Sequence, residues 1–460
     1  MAETGAGAFA VGGAAAGAVG DVVGGMVGDT VGAVAGAAAG GAWRRRAGFA
    51  GAALGVVAAT AAAGVALERL TVGRGVRRDA RLALDTAGPY GALRGTPGTA
   101  YADDGTALRY EVDEVGGADE VDGDGRGGEL RRAEDPDRTG GAGGTGGAGA
   151  AGRVRGDAEA RGSAITTPVT VVFSHGYCLN QDSWHFQRAA LRGLVRTVHW
   201  DQRSHGRSGR GVAQGGADGT PVSMDQLGRD LRAVIDAAAP EGPLVLVGHS
   251  MGGMTIMALA DQYPDLVRDR VAGVAFVGTS SGRLAEVTFG LPVTGVNAAR
   301  RMLPGVLRAL GTRPELVERG RRATADLFAG VVRRYSFGTR DVDPAVARFA
   351  ERMIEATPID VVAEFYPAFA EHDKADALAV LAAAGVPVLA LAGGRDMVTP
   401  GSHTEAIAAL LPEAELVVVP DGGHLVMLEH PETVTEHLAA LLVRAGALAP
   451  GAVGAVADSG

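Results

Sequence analysis

Between residues 170 and 419 the chain carries a series of short, predominantly apolar runs, at 170–173, 197–200, 244–247, 271–277, 386–391 and 415–419. Each is too short to form a stable helix, and none keeps the strict apolar/polar alternation of a strand with one wet face. The segments between them are helical in pattern. In "MDQLGRDLRAVIDAA", for example, Leu227, Leu231, Val234 and Ile235 fall on one face at helical spacing. Unbroken apolar strands alternating with amphipathic helices predict an α/β fold, with a mainly parallel central sheet covered by helices on both faces.

This pattern also divides the chain. "GTAYADDGTALRYEVDEV", from Gly98, places two short alternating runs around Asp103-Asp104-Gly105, which predicts a hairpin. Residues 116–166, with "GGAGGTGGAGAAGRVRG" and scattered charges, hold too little apolar surface to fold and read as a disordered insertion. The expected core therefore comprises 98–280 and 377–447. A mostly helical cap is expected at 281–376 and a flexible tail at 448–460.

The first 97 residues differ from the rest. Residues 1–42 form a Gly/Ala-rich, low-complexity tail in which Gly20, Gly24, Gly28, Gly32, Gly36 and Gly40 recur at every fourth position. In a helix, that spacing makes a smooth stripe for a second helix to approach; the alternative is a tail that does not fold. Residues 43–68 open with Trp43 and three arginines and continue without charge from 47 to 67, long enough to span a bilayer. The expectation is a single membrane anchor, with an export signal or a soluble segment as alternatives. The protein is then membrane-associated, or otherwise cytoplasmic or exported. A linker is expected at 69–97.

Composition removes other classes. With 43 basic and 53 acidic residues the net charge is −10, which argues against nucleic acid as a partner, since phosphate neutralisation needs a basic face. Lys374 is the one lysine, so the arginine content reflects a high-GC, actinobacterial-type coding bias more than any function. The single cysteine, Cys178, excludes an internal disulfide and a multi-cysteine zinc site. The Gly-rich tract at 140–149 lacks the strand and helix that a phosphate cradle needs. No cofactor and no metal are expected.

The chemistry centres on Gly248-His249-Ser250-Met251-Gly252, a G-x-S-x-G with a buried strand before it and a helix after it. That context makes it a nucleophile elbow, in which the serine hydroxyl stands out at the carboxyl end of the strand beside a helix N-terminus. A serine needs a base to take its proton and a group to orient that base. His424, in "VVVPDGGHLVMLEHPE", follows a strand and a glycine-bearing loop and is the expected base. His430 is expected inside the next helix. His175, His205 and His249 are expected to be structural, with the His249 side chain diverging from that of Ser250. Asp396, in "PVLALAGGRDMVTP", ends a buried strand at the same edge and is the expected acid. The order Ser250, Asp396, His424 is the order this constellation uses. Oxyanion donors are expected from the backbone N–H groups of Met251 and of Tyr177, the latter in "VVFSHGYCLNQDSW". Cys178 is the weaker candidate nucleophile.

On "SHGYCLNQDSW", "WDQRSHGRSG", "GHSMGG", "GGRDMVTP" and "DGGHLVMLEHPE", the chain from about 98 to 447 resembles the α/β-hydrolases, notably their serine esterase, lipase and lysophospholipase-like members. Relatives generally carry glycine at the position of Ser204. They carry aspartate at the position of Ser250 when they are epoxide hydrolases or dehalogenases. The resemblance implies attack by Ser250 on the carbonyl of a small acyl substrate, an ester before a thioester or amide, and then hydrolysis of the acyl-enzyme. Perhydrolase or haloperoxidase-type activity, acyl transfer and C–C hydrolysis are alternatives with the same residues. A non-catalytic membrane scaffold is the alternative of another class.

Overall fold

The computed structural model describes residues 90–116, 168–212, 221–287 and 325–451. The glycine stripe, the expected anchor, the body of the insertion and the first helical stretch expected in the cap lie outside the described residues. Among the described residues, no helix is long and apolar enough to cross a membrane.

Among the described residues, eight strands form one sheet: β1 (Thr96–Tyr101), β2 (Ala107–Asp113), β3 (Thr170–Ser174), β4 (Arg196–Trp200), β5 (Leu244–His249), β6 (Val271–Val277), β7 (Val388–Gly393) and β8 (Glu415–Val419). Their order is β1-β2-β4-β3-β5-β6-β7-β8. β1 and β2 pair antiparallel, as do β2 and β4, and every pairing from β4 to β8 is parallel. The helices among the described residues are α1 (His185–Leu191), α2 (Met224–Ala238), α3 (Met251–Gln262), α4 (Pro264–Arg270), α5 (Ala325–Ser336), α6 (Pro344–Ala356), α7 (Ile359–Glu371), α8 (Leu378–Ala384), α9 (Gly401–Leu410), α10 (Val426–Glu429) and α11 (Pro431–Arg444).

The two-residue period of the strands builds two cores from one sheet. Val171, Phe173, Val245, Val247, Ala275, Val277, Leu389 and Leu391 face one side, against residues of α1, α6, α10 and α11. Val172, Val198, Leu244, Leu246, Val274 and Phe276 face the other, against α2, α3, α4, α8 and α9. The predicted face of α2 is fully buried at Leu227, Leu231, Val234 and Ile235. Each such side chain contributes about 1.5–3 kcal/mol on leaving water. The Ser223 hydroxyl accepts from the Gln226 N–H and caps the start of α2. The hairpin turns where predicted, with Gly105 at φ 80° and its N–H donating to the Ala102 carbonyl.

Two expectations change in detail. The strand expected at 386–391 is displaced to Val388–Gly393, because Pro387 has no N–H for a ladder and enters only through its carbonyl, which accepts from Val274. β8 was expected to be buried on both faces, but it ends the sheet. Leu416 and Val418 are 45% and 41% exposed, since β8 is an edge strand of the described sheet.

Candidate active site

β5 ends at His249 and α3 begins at Met251, so Ser250 alone makes the turn. It takes φ 50° and ψ −116°, a conformation that costs a non-glycine residue energy and is held by its surroundings. The Ser250 N–H donates to the Val277 carbonyl at 2.9 Å, and the Thr279 hydroxyl donates to the Ser250 carbonyl at 2.6 Å. The neighbouring glycines supply space, not unusual dihedrals. A Cβ on Gly248 would lie 2.5 Å from the Gly252 backbone. One on Gly252 would lie 2.1 Å from the Ser174 carbonyl oxygen, and one on Gly253 2.6 Å from the Thr279 side chain. The elbow is thus a close-packed crossing of α3 over β3 and β5, with the strain concentrated on the serine.

His424 reaches this point from the loop after β8. Its Nε2 lies 3.0 Å from Ser250 Oγ, and its Nδ1 lies 2.8 Å from Asp396 Oδ2. Asp396 stands just beyond β7 and its side chain is buried. Burial alone would raise its pKa. The His424 imidazole and the Thr399 donors outweigh burial and hold the carboxyl below the usual range. Asp396 Oδ1 accepts the Val398 N–H at 2.7 Å and the Thr399 N–H at 2.9 Å. The Thr399 hydroxyl lies 2.8 Å from Asp396 Oδ2 and 2.7 Å from the Gly278 carbonyl oxygen. An ionised Asp396 only accepts, so Nδ1 of His424 carries the proton and Nε2 presents its lone pair to the serine.

The remaining histidines separate from this centre. His249 diverges from Ser250, as expected, and its Nε2–H donates to the His424 carbonyl at 2.8 Å. Burial pushes its pKa down to about 3, so it stays neutral while bonding the main chain of His424. His175 is lowered to about 4 and His205 to about 3, again by burial. His175 accepts the Gln202 N–H on Nε2, and Nδ1 of His205 bonds the Arg203 carbonyl at 2.9 Å. His430 is not inside a helix. It separates α10 from α11 at φ −130° and ψ 60°, because Pro431 disfavours helical geometry in the residue before it.

Met251 is the first residue of α3, and its N–H is one of those without an acceptor inside the helix. Across from it, Gly176 lies so close that a Cβ there would be 3.3 Å from Ser250 Cβ, and Tyr177 follows directly. The Tyr177 side chain turns away toward α7. Its hydroxyl donates to the Val362 carbonyl at 2.6 Å, and its ring lies 4.9 Å from that of Phe369. Burial raises the phenol well above its ordinary pKa and keeps it neutral. Ser250 is 5% exposed. Met251, Met254, Val361, Phe365 and Ala368 form an apolar cluster with Tyr177, Leu284 and Phe369 packed against it. Arg210 ties the same helix to the core through Asp360, at 2.7 Å, and Glu364.

Sequence reasoning missed Thr399, Thr279 and the buttressing role of His249. The D-x-x-T spacing of Asp396 and Thr399 is a local signal for a side chain that bonds the backbone just after it. Thr279 has no such signal, because its partner is 29 residues away. Ser204 takes φ 64°, the left-handed region, which explains why glycine suits that turn. The turn forms all the same, with the Ser204 N–H bonded to the Gly209 carbonyl.

A family model described as the alpha/beta hydrolase fold matches residues 169–431, more than half of the chain. The chain belongs to this family. Among curated relatives, it is 27% identical over 278 residues to the dihydrolipoyllysine-residue acetyltransferase component of the acetoin cleaving system of Pseudomonas putida. That match covers 60% of this chain and 63% of the relative. It is 27% identical over 281 residues to the putative carbamate hydrolase RutD of Caulobacter segnis, covering 61% of this chain and 93% of the relative. A thermophilic esterase from Thermogutta terrifontis has the same fold, with a TM-score of 0.51 and 22% identity over 76% of this chain and 98% of the other. Hydrolase activity is the function this membership supports.

Proposed function

We propose that this α/β-hydrolase cleaves carboxylic esters through an acyl-enzyme on Ser250. The observation that carries the reading is the unbroken hydrogen-bonded chain from Ser250 through His424 to Asp396, at 3.0 and 2.8 Å. In the first half, Oγ attacks the ester carbonyl while its proton passes to His424 Nε2. The resulting oxyanion is held by the N–H groups of Tyr177 and Met251, and the leaving alcohol takes the proton from His424. In the second half, His424 removes a proton from water, the hydroxide attacks the acyl carbonyl, and Ser250 recovers its proton as the acid leaves. Asp396 stays ionised and holds the imidazolium.

The apolar cluster around Met251 and Phe365 supports an apolar acyl group over a charged one, and with it a lipid-like ester. The membrane tether expected at 43–68 belongs to the same proposal, and protease protection of intact cells would read it. For the chemistry, the full chain is incubated with a fluorophosphonate probe and with p-nitrophenyl esters of short and long chain. Labelling at Ser250 is expected, together with a loss of kcat of roughly 10³-fold or more in Ser250→Ala. Esterase activity unchanged in Ser250→Ala would sink the reading. Adding an alcohol or peroxide as competing acceptor separates hydrolysis from acyl transfer and perhydrolysis.

A further inference from the structure

Glu429 ends α10, five residues beyond His424, and its carboxylate faces the backbone of two separate segments. One oxygen accepts the Gly423 N–H at 2.7 Å and the Gly338 N–H at 3.0 Å. The other accepts the Gly338 and Thr339 N–H groups at 3.0 Å each, with the Thr339 hydroxyl at 3.3 Å. Gly423 immediately precedes His424, while Gly338 and Thr339 follow α5 at its junction with the turn into α6. The residue after His424 is held by the same junction, because the Leu425 N–H donates to the Ser336 carbonyl at 2.8 Å. The two segments touch backbone to backbone. A Cβ on Gly338 would lie 2.1 Å from the Asp421 carbonyl oxygen, and one on Gly423 2.4 Å from the Gly338 nitrogen.

We infer that Glu429 is a positioning residue that locks the loop of His424 to the helical segment following α5, so that the base and the cap junction are placed as one unit. The inference rests on the assignment of His424 as the base. Glu429 does not touch the reacting atoms. It acts on His424 through the main chain on its N-terminal side, while the Ser336 carbonyl acts on the C-terminal side and His249 on the His424 carbonyl. A carboxylate suits this place because its two oxygens accept several N–H groups at once. Glutamine has the same shape but one accepting oxygen, and its amide hydrogens would face the backbone donors.

The test is Glu429→Gln in the full chain, with p-nitrophenyl butyrate as substrate and a fluorophosphonate as active-site titrant. Misplacing His424 lowers kcat per titrated site by about 10²-fold and slows the labelling rate constant in parallel, while KM stays within about twofold. Glu429→Asp, which keeps the charge on a shorter arm, falls between parent and Glu429→Gln. Gly338→Ala, which keeps the Glu429 carboxylate but forces its Gly338 partner and the junction away from Asp421, reproduces the kcat loss. A purely structural role would instead lower the titrated fraction and leave the rate constant of the remaining sites at the parent value, and that result would overturn the inference.

Hydrogen exchange reads the lock without relying on catalysis. In Glu429→Gln, exchange in peptides covering 336–339 and 421–425 rises together, with the rest of the sheet unchanged. Parent-like exchange in either segment also overturns the inference. If the parent is not labelled at Ser250, it is the ester-hydrolase reading that falls, and exchange alone decides the role of Glu429.

Discussion

At Ser250 the φ of 50° is a cost built into the position of the proposed nucleophile. A serine there is about 1–2 kcal/mol less comfortable than a glycine, partly offset because glycine gains more entropy on unfolding. Ser250→Gly is therefore expected to abolish activity yet raise stability by about 0.5–1 kcal/mol. Ser250→Ala removes the hydroxyl but keeps the strain, and its unfolding midpoint should stay near the parent's. Denaturant unfolding of the two variants side by side checks this. A Ser250→Gly protein less stable than Ser250→Ala would show that the turn stores no strain. The same scale shows the limit of sequence reading. Ser250, Asp396 and His424 were legible because each sits just beyond the end of a strand whose pattern is local. Thr279 and Glu429 were not, because their roles depend on backbone groups 29 and 91 residues away in the chain.

Among the elements, the crossing of α3 over β3 and β5 is the most tightly built. Gly252 stands where any side chain would collide with the Ser174 carbonyl, a backbone atom fixed in the middle of the sheet. Gly252→Ala must push α3 off the strands, and it is expected to cost about 3 kcal/mol or more or to prevent folding. Thermal unfolding with soluble yield measures it, and a variant within about 1 kcal/mol of the parent would contradict the packing described. By contrast, the Arg210 pairs with Asp360 and Glu364 on α7 are part-exposed, a setting in which ion pairs contribute about 0–1 kcal/mol. What fixes α7 is apolar burial at Val361 and Phe365, with the Tyr177 hydroxyl on Val362.

For the whole molecule, burial of neutral imidazoles sets the response to acid. His175 titrates at about 4, and His205 and His249 at about 3, against 6.5 for an exposed histidine. The unfolded chain therefore binds protons that the folded chain refuses, and stability falls as pH drops below about 6.5. Each imidazole contributes about 1.4 kcal/mol per pH unit within that window. Asp396, held below its usual range, adds to the loss under more acidic conditions. The part-buried Asp182 and the buried Asp201 and Asp230, whose carboxyls desolvation raises, oppose the loss, and they do so above the ordinary carboxylate range. The unfolding temperature should decline as the pH falls from 6.5 to 5. A flat profile across that interval would mean these rings are open to solvent.

The sequence by itself determined the strand–turn–helix corner at Ser250, the strand ends that carry Ser250, Asp396 and His424, the hairpin and the parallel sheet. The corner, the strand ends and the hairpin follow from patterns within ten or so neighbouring residues, where the periods of strand and helix and the preferences of glycine and proline act directly, and the sheet follows from the alternation of such patterns along the chain. Only the tertiary structure decided that Ser250 Oγ and His424 Nε2, 174 residues apart in the chain, stand 3.0 Å from each other. It also decided that the elbow glycines serve close approach, that β8 is an edge, and that Glu429 bonds both the histidine loop and the segment after α5. These depend on which backbone groups the folded sheet brings within hydrogen-bonding distance, and local sequence pattern carries no record of that.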